Sequence, residues 1–356
     1  MAMTDPQAFW QGRRVLVTGH TGFKGSWLSL WLTRLGAEVV GFSLEIPTQP
    51  SLFEMARLDS LLDSHFGDVA DLGVVERVIE SSAPDVVVHL AAQSLVAPSH
   101  NDPLGTYLTN VMGTVNLLEA IRRHPSPAVA LVVTSDKCYE NSPTPHRESD
   151  RLGGSNPYSS SKACAEHVTQ SYRISFFSER GSPVVASARA GNVIGGGDWA
   201  TGRLAPDVVR AIQADEVLVL RNPGATRPWQ HVLDCLSGYI LLIERLSDDP
   251  SMAGPWNFGP ADEEVRTVSW LVEHLFKSYG RSVDWTAPGE IDHPSEDVFL
   301  ALDSSKARSV LGWSSRLDTE NAVEMTADWY RRAFEGADPR MLSISQIEEY
   351  EAKPLR

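Results

Sequence analysis

Apolar runs and amphipathic stretches alternate through the first half of the chain. Residues 14–19, RVLVTG, read as a short β-branched strand that runs into a glycine-rich stretch. Trp27, Leu28, Leu30, Trp31, Leu32 and Leu35 then cover so broad a face that the segment reads as a mostly buried helix, ended by Gly36. Residues 38–44 form a second strand, and a third is expected ahead of Gly67. Residues 85–92, 128–135 and 183–190 are apolar enough to be strands buried on both faces. Helical patterns at 74–82, 104–123 and 161–181 separate them. Six parallel-type strands with helical crossovers thus fit before residue 191. The expected fold class is α/β, a Rossmann-type doubly wound parallel sheet.

Past residue 191 the alternation loosens. Residues 192–207 form a glycine-rich loop longer than connectors usually are, which points to function. Helices are expected at 206–214, 232–246, 267–279, 303–313 and 318–334, and short strands at 216–220 and 282–285. No repeat or flexible linker interrupts this part. The expectation is one nucleotide-binding domain over 1–190, with 229–250 returning to it. A smaller C-terminal α/β substrate-binding domain takes 191–228 and 251–335, and 336–356 is a tail.

Composition narrows the partners. The chain has 356 residues, 42% of them hydrophobic and 22% charged, enough for a large core. The net charge of −15 argues against a nucleic-acid partner or an anionic membrane surface. No apolar run reaches the length of a membrane-spanning helix. Cys138, Cys164 and Cys235 are odd in number and widely spaced, so neither a disulfide framework nor a metal site is expected. With no signal-peptide pattern at the start, the expected location is the cytoplasm.

Two motifs carry chemistry. In Gly19-His-Thr21-Gly22-Phe23-Lys24-Gly25, glycines between a strand and a helix permit a sharp turn and close approach of a pyrophosphate to the helix N-terminus. The acid expected about 20 residues on, for a ribose, is replaced by Ser43. No arginine beside it is suited to a 2′-phosphate, so NAD is expected over NADP. Asp68 and Val69 follow the third strand, where a carboxylate meets adenine. The second motif is Tyr158-Ser-Ser-Ser-Lys162. Positions four apart share a helix face, so the ammonium is expected near the phenol, lowering its pKa for work as a base on a sugar alcohol. It follows the strand ending in Thr134-Ser135. Arg203 and Arg227 stand in the two long C-terminal loops, and the planar fork of arginine is suited to bidentate phosphate recognition. Asn192, Asp198, Trp199 and Asp234 are further candidates. Trp199 is equally readable as loop packing and Asp234 as a helix cap. His231 reads as a packed histidine, and His293 and Glu296 as loop residues.

TGHTGFKG, HLAA (89–92), Asn110, VTS (133–135) and YSSSK (158–162) together resemble the extended short-chain dehydrogenase/reductase, or NAD-dependent epimerase/dehydratase, family. Longer stretches resemble its CDP-glucose 4,6-dehydratase branch: PTQPSLFE, TSDKCYEN, RAGNVIGGGDW, RPWQHVLD, WNFGP, LDSSKARSVLGW and the tail LSISQIEEYE. The resemblance implies an NAD site built from Gly19, Thr21, Gly22, Phe23, Lys24, Gly25, Ser43, Asp68, Val69, Leu90, Ala91, Ala92, Asn110, Thr134, Tyr158 and Lys162. It implies a nucleotide-sugar site including Gln93, Ser94, Asn192, Arg203, Leu204, Arg227 and Gln230.

The catalytic set it implies is Ser135, Asp136, Lys137, Tyr158 and Lys162, with no metal. Tyr158 takes the 4-hydroxyl proton of CDP-D-glucose as hydride passes from C4 to NAD. Ser135 aligns O4, and Lys162 supports the phenol and holds the ribose. Lys137, standing where dTDP-type enzymes carry Glu, removes the C5 proton if neutral, and Asp136 protonates the departing O6. Hydride then returns to C6. The resemblance further implies a homodimer through helices 104–123 and 161–178, and a role in making deoxysugars for surface polysaccharide such as the lipopolysaccharide O-antigen. The alternatives are a nucleotide-sugar 4-epimerase using the same tyrosine–lysine pair and a non-catalytic NAD-sensing protein.

Overall fold

A computed structural model describes residues 6–260, 264–282, 284–287 and 300–356. His293 and Glu296 lie outside the described residues. Seven strands form one sheet: β1 (Arg14–Thr18), β2 (Glu38–Ser43), β3 (Asp63–Phe66), β4 (Val86–His89), β5 (Val129–Val133), β6 (Val184–Ala190) and β7 (Pro255–Phe258). Their order is β7-β6-β5-β4-β1-β2-β3, and every neighbouring pair is parallel. The strands without a polar side chain on either face, such as β5 (VALVV), lie inside, while half-exposed β3 (DSHF) takes an edge. The six strands expected before residue 191 are all present. Because β7 pairs with β6, the sheet continues past residue 250, beyond the expected boundary.

Helices cover both faces. Helices α1 (Phe23–Arg34) and α6 (Val232–Asp248) pack on one face around Trp27, Leu28, Leu233 and Leu236. Helices α2 (Leu72–Ser82), α3 (Gly113–Arg123) and α4 (Pro157–Phe176) cover the other, around Leu16, Val87, Ile79 and Ile121. Beyond the sheet, α5 (Leu204–Ala214), α7 (Val268–Tyr279) and α8 (Thr319–Phe334) share a separate core with Ile212, Leu275 and Val323. A two-stranded parallel pair joins Leu218–Val219 to Trp285–Thr286.

Several elements differ from the sequence expectation. The stretch 104–123 is not one regular helix: Pro103–Tyr107 leads into a π-helical turn, Leu108–Met112, before α3. Helix α4 begins four residues earlier than its pattern suggests, because Asn156 caps it by accepting from Ser159 N at 2.9 Å and Pro157 starts the first turn. Residues 307–311 form a π-helical turn, not a full helix. The tail contains helix α9 (Pro339–Ala352), whose Ile347 and Tyr350 are buried against α1 and α8. Tyr350 donates to Asp234 Oδ1 at 2.9 Å. Asp234 therefore ties down the C-terminal helix, whereas the cap of α6 is His231, whose Nδ1 accepts from Leu233 N at 3.3 Å.

Candidate active site

The reversal of strand order between β1 and β4 opens a crevice at the carboxyl ends of the strands. A single hydroxyl stitches its floor. Thr18 Oγ1 accepts from Leu90 N at 3.2 Å and Ala91 N at 3.1 Å, so it donates to His89 Nδ1 at 2.7 Å. The remaining ring nitrogen, Nε2, lies 3.4 Å from Thr114 Oγ1. Burial lowers the His89 pKa to about 3, so the ring is neutral.

The glycine loop lies above this floor. Gly19 has φ +74°, and a β-carbon there would stand 2.7 Å from Ala91 N, so loop and floor touch through bare backbone. A β-carbon on Gly25 would overlap the Gly19 carbonyl. The first turn of α1 has no side-chain cap, and a β-carbon on Gly22 would meet only the Gly19 carbonyl oxygen, at 3.4 Å. A cradle without side chains, ending at an uncapped helix N-terminus, fits a dinucleotide pyrophosphate.

Ser43 is committed to the loop itself: its hydroxyl accepts from Thr21 N at 3.3 Å and lies 2.9 Å from His20 Nδ1. Thr21 Oγ1 donates to the Glu45 carbonyl at 2.7 Å. Asp68 is exposed at the sheet edge, where its Oδ1 accepts from Ala70 N. Val69 is buried beneath Gly113.

The end of β5 and the start of α4 bring the catalytic candidates together. Ser135 donates to Asp136 Oδ1 at 2.9 Å and accepts from Lys137 N at 3.2 Å. Asp136 is 3% exposed, and its Oδ2 has no hydrogen-bond partner. Burial raises its pKa against the opposing charge of Lys137. Such an environment favours the protonated form of a carboxyl.

Tyr158 departs from expectation. Burial pushes its pKa up to about 12, only partly offset by a hydrogen bond with Ser135. The lysine does not lower it, because Lys162 Nζ turns to the Val133 carbonyl at 3.3 Å. Lys162 is itself brought down to about 8 by burial and by Lys24.

Asn110, in the π-helical turn, is a clasp. It accepts from Gln93 N at 2.8 Å and donates to the Gln93 carbonyl at 3.0 Å and to Ser161 Oγ at 2.8 Å. The loop after Ala92 is thereby tied to the tyrosine helix. Arg203 donates to Asp198 Oδ2 at 3.1 Å and Ser94 Oγ at 3.0 Å, bringing three of the candidate residues together. Leu204 and Asn192 are half-buried. Arg227 is buried and donates to the Thr226 carbonyl. Gln230 is turned inward, with its amide on the Phe258 carbonyl at 2.9 Å. Trp199 packs edge-on against Tyr330 and Phe334, which matches its packing role.

Sequence reasoning missed three groups. Tyr239 and Cys235, fully buried on α6, face Lys24, whose ammonium lies 5.9 Å from the Tyr239 ring centre. Lys24 therefore reaches from the glycine loop toward Asp136 and Lys162. The third group is the buried pair Glu166–Arg189, 2.7 Å apart. The four-residue spacing 158, 162, 166 is the signal that marks Glu166.

A family model described as GDP-mannose 4,6 dehydratase matches residues 16–326. The chain is 45% identical, over 98% of its length and 99% of the relative's, to a CDP-glucose 4,6-dehydratase of Salmonella typhimurium. It is 28% identical to GDP-mannose 4,6 dehydratase 1 of Arabidopsis thaliana, covering 88% of each chain. Among solved structures, a dTDP-glucose 4,6-dehydratase of Streptomyces venezuelae with NAD bound has TM-score 0.77 at 25% identity, covering 92% of this chain and 99% of that one. A Thermus thermophilus UDP-glucose 4-epimerase in complex with NAD has TM-score 0.77 at 23% identity, covering 90% and 99%, and shares the fold.

Proposed function

Because the chain belongs to the GDP-mannose 4,6 dehydratase family, we propose that it is an NAD-dependent sugar-nucleotide 4,6-dehydratase acting on CDP-D-glucose. The product is CDP-4-keto-6-deoxy-D-glucose. The near full-length likeness to a CDP-glucose 4,6-dehydratase supports the choice of substrate. The observation that carries the reaction is Asp136: a buried acid whose pKa burial raises, with one unpartnered oxygen, next to Ser135. Dehydration needs a proton for the departing hydroxyl. A 4-epimerase would use Tyr158 and Lys162 and leave Asp136 without work.

The cradle of Gly19, Gly22 and Gly25 would hold NAD, which when bound would supply reversible hydride transfer with the sugar. The residues do the rest. Tyr158 receives the 4-hydroxyl proton, and Ser135 orients O4. That transfer requires Tyr158 as the phenolate, the form that a nearby positive charge such as Lys162 favours. Once C4 is a ketone, C5–H is acidified. Lys137, as the neutral amine, removes that proton while Asp136 delivers its own to O6, and water leaves. Arg203 and Arg227 clamp the diphosphate, with Ser94, Asn192 and Leu204 around the sugar nucleotide.

The wider setting belongs to the same reading. Leu104, Leu108 and Met112 are exposed at four-residue spacing, and Ile174 and Phe176 are exposed on α4. These apolar positions support a homodimer through the two helical segments. Among the described residues no helix is long and apolar enough to cross a membrane. Deoxysugar synthesis for surface polysaccharide in the cytoplasm suits such an enzyme.

The test is incubation with a panel of nucleoside-diphosphate glucoses and mass spectrometry of the products. CDP-glucose should lose the mass of one water, with many turnovers per NAD. An unchanged mass in a 4-epimer product, or one NAD consumed per turnover, would overturn the reading.

A further inference from the structure

We propose that the buried Glu166–Arg189 pair is the positioning element of this centre, fixing the Ser135–Asp136–Lys137 triplet from both sides and holding Lys162 against it. What the positioning serves rests on the dehydratase reading; the positioning itself rests on geometry. Tyr158, Lys162 and Glu166 stand on three successive turns of α4, in one row. Each meets the end of β5. Tyr158 is hydrogen-bonded with Ser135, Lys162 donates to the Val133 carbonyl at 3.3 Å, and Glu166 Oε1 accepts from Thr134 Oγ1 at 2.5 Å.

The second carboxylate oxygen of Glu166 accepts from Ser187 Oγ at 2.8 Å and Arg189 Nη2 at 2.7 Å, both on β6. One buried carboxylate therefore joins α4, β5 and β6. Arg189 carries the connection onward. Its Nη1 donates to Tyr139 Oη at 2.6 Å, and Tyr139 donates to Asn257 Oδ1 at 2.8 Å. Thr134 immediately precedes the triplet and Tyr139 lies two residues after it. The same ion pair thus grips the chain before and after the three residues that would do the chemistry.

Stability alone gives little reason for such a pair, since a buried ion pair adds no more than well-packed apolar residues of the same volume. Its electrostatic reach supports positioning. The charged and titratable groups facing Lys162 are Lys24 from α1, His89 from β4, Cys138 from the turn after β5, and Glu166 from its own helix. His89 is neutral, and burial raises the Cys138 thiol. Glu166 is the anion in that set: burial pushes its carboxyl up, but Arg189 and the bonds from Thr134 and Ser187 leave it below the usual value.

The deciding variant is Glu166→Gln, which keeps the shape and removes the charge. The chain has only six lysines, so carbon-13 labelling at lysine Cε resolves each titration by NMR, and Lys162→Arg identifies the Lys162 signal. The Lys162 midpoint should fall by about one to two pH units, as expected for losing an anion one helical turn away. The alkaline limb of kcat should move with it. If Glu166→Gln does not fold, Glu166→Gln with Arg189→Met leaves no orphaned charge and is read the same way. Tyr139→Phe, which frees one flank and leaves the ion pair intact, should lower kcat about tenfold or more with little change in KM. An unmoved Lys162 midpoint, or wild-type kcat in Tyr139→Phe, overturns the proposal. Absence of turnover by the wild-type enzyme would defeat the dehydratase reading instead, and the lysine titration would still decide the role of Glu166.

Discussion

The unpartnered oxygen of Asp136 lies against the bare Cα of Gly191: a β-carbon there would come within 2.8 Å of Oδ2. The residue just before the glycine-rich loop is thus small where the Asp136 carboxyl lies.

Gly191→Ala should displace the acid without unfolding the protein, because Gly191 is not among the residues with positive φ. A shift of this size at a reacting group costs on the order of 10–100-fold in kcat. Circular dichroism and thermal melting should match wild type. Wild-type kcat in the variant would mean that Asp136 is not the acid.

Tyr158→Phe removes the hydroxyl while keeping the ring and its packing. Loss of a general base costs about 10²–10⁴-fold in rate. KM for CDP-glucose should change little, since the proposed diphosphate clamps, Arg203 and Arg227, lie in other loops. Steady-state kinetics of the purified variant decide it, and turnover within a few-fold of wild type would remove Tyr158 from the mechanism.

Lys137 and Asp136 are separated by isotope exchange. Lys137→Ala should abolish exchange of C5–H with deuterated solvent and block release of the 4-keto-6-deoxy product. Asp136→Asn should slow water loss and still permit C5 exchange. Exchange at the wild-type rate in Lys137→Ala would assign the C5 proton to another base.

Asp234 links α6 to the C-terminal helix, and burial raises its pKa to about 7. An acid whose folded pKa lies above its unfolded value of about 3.9 stabilises the fold most below that unfolded value. The contribution is lost as pH rises toward about 7, by an amount on the order of a few kcal/mol. Glu244, bonded by Trp10 Nε1 at 2.8 Å and also raised to about 7 by burial, acts in the same direction. Denaturant unfolding at pH 5.5 and pH 8 should show a smaller pH dependence in Asp234→Asn than in wild type. An equal dependence would show that Asp234 is ionised in the folded protein throughout.

What the sequence by itself determined was whatever depends on local pattern. Apolar runs such as VALVV have one stable placement, inside a parallel sheet, and glycines at 19, 22 and 25 have one purpose between a strand and a helix. Six strands, their crossover helices and the tyrosine–lysine spacing were legible for that reason. The tertiary structure decided what depends on neighbours distant in the chain. WNFGP carries no strand signal of its own, yet becomes β7 because β6 offers an unpaired edge. The tail becomes a helix docked by Tyr350 on Asp234, a partner 116 positions away. The pKa of Tyr158 rose where sequence spacing said it would fall, because burial acts on the phenol and Lys162 bonds to the Val133 carbonyl. Glu166 looks like one more helix carboxylate until β5 and β6 bring it Thr134, Ser187 and Arg189. Periodicity is encoded residue by residue, whereas desolvation and charge pairing are set by which segments fold against one another.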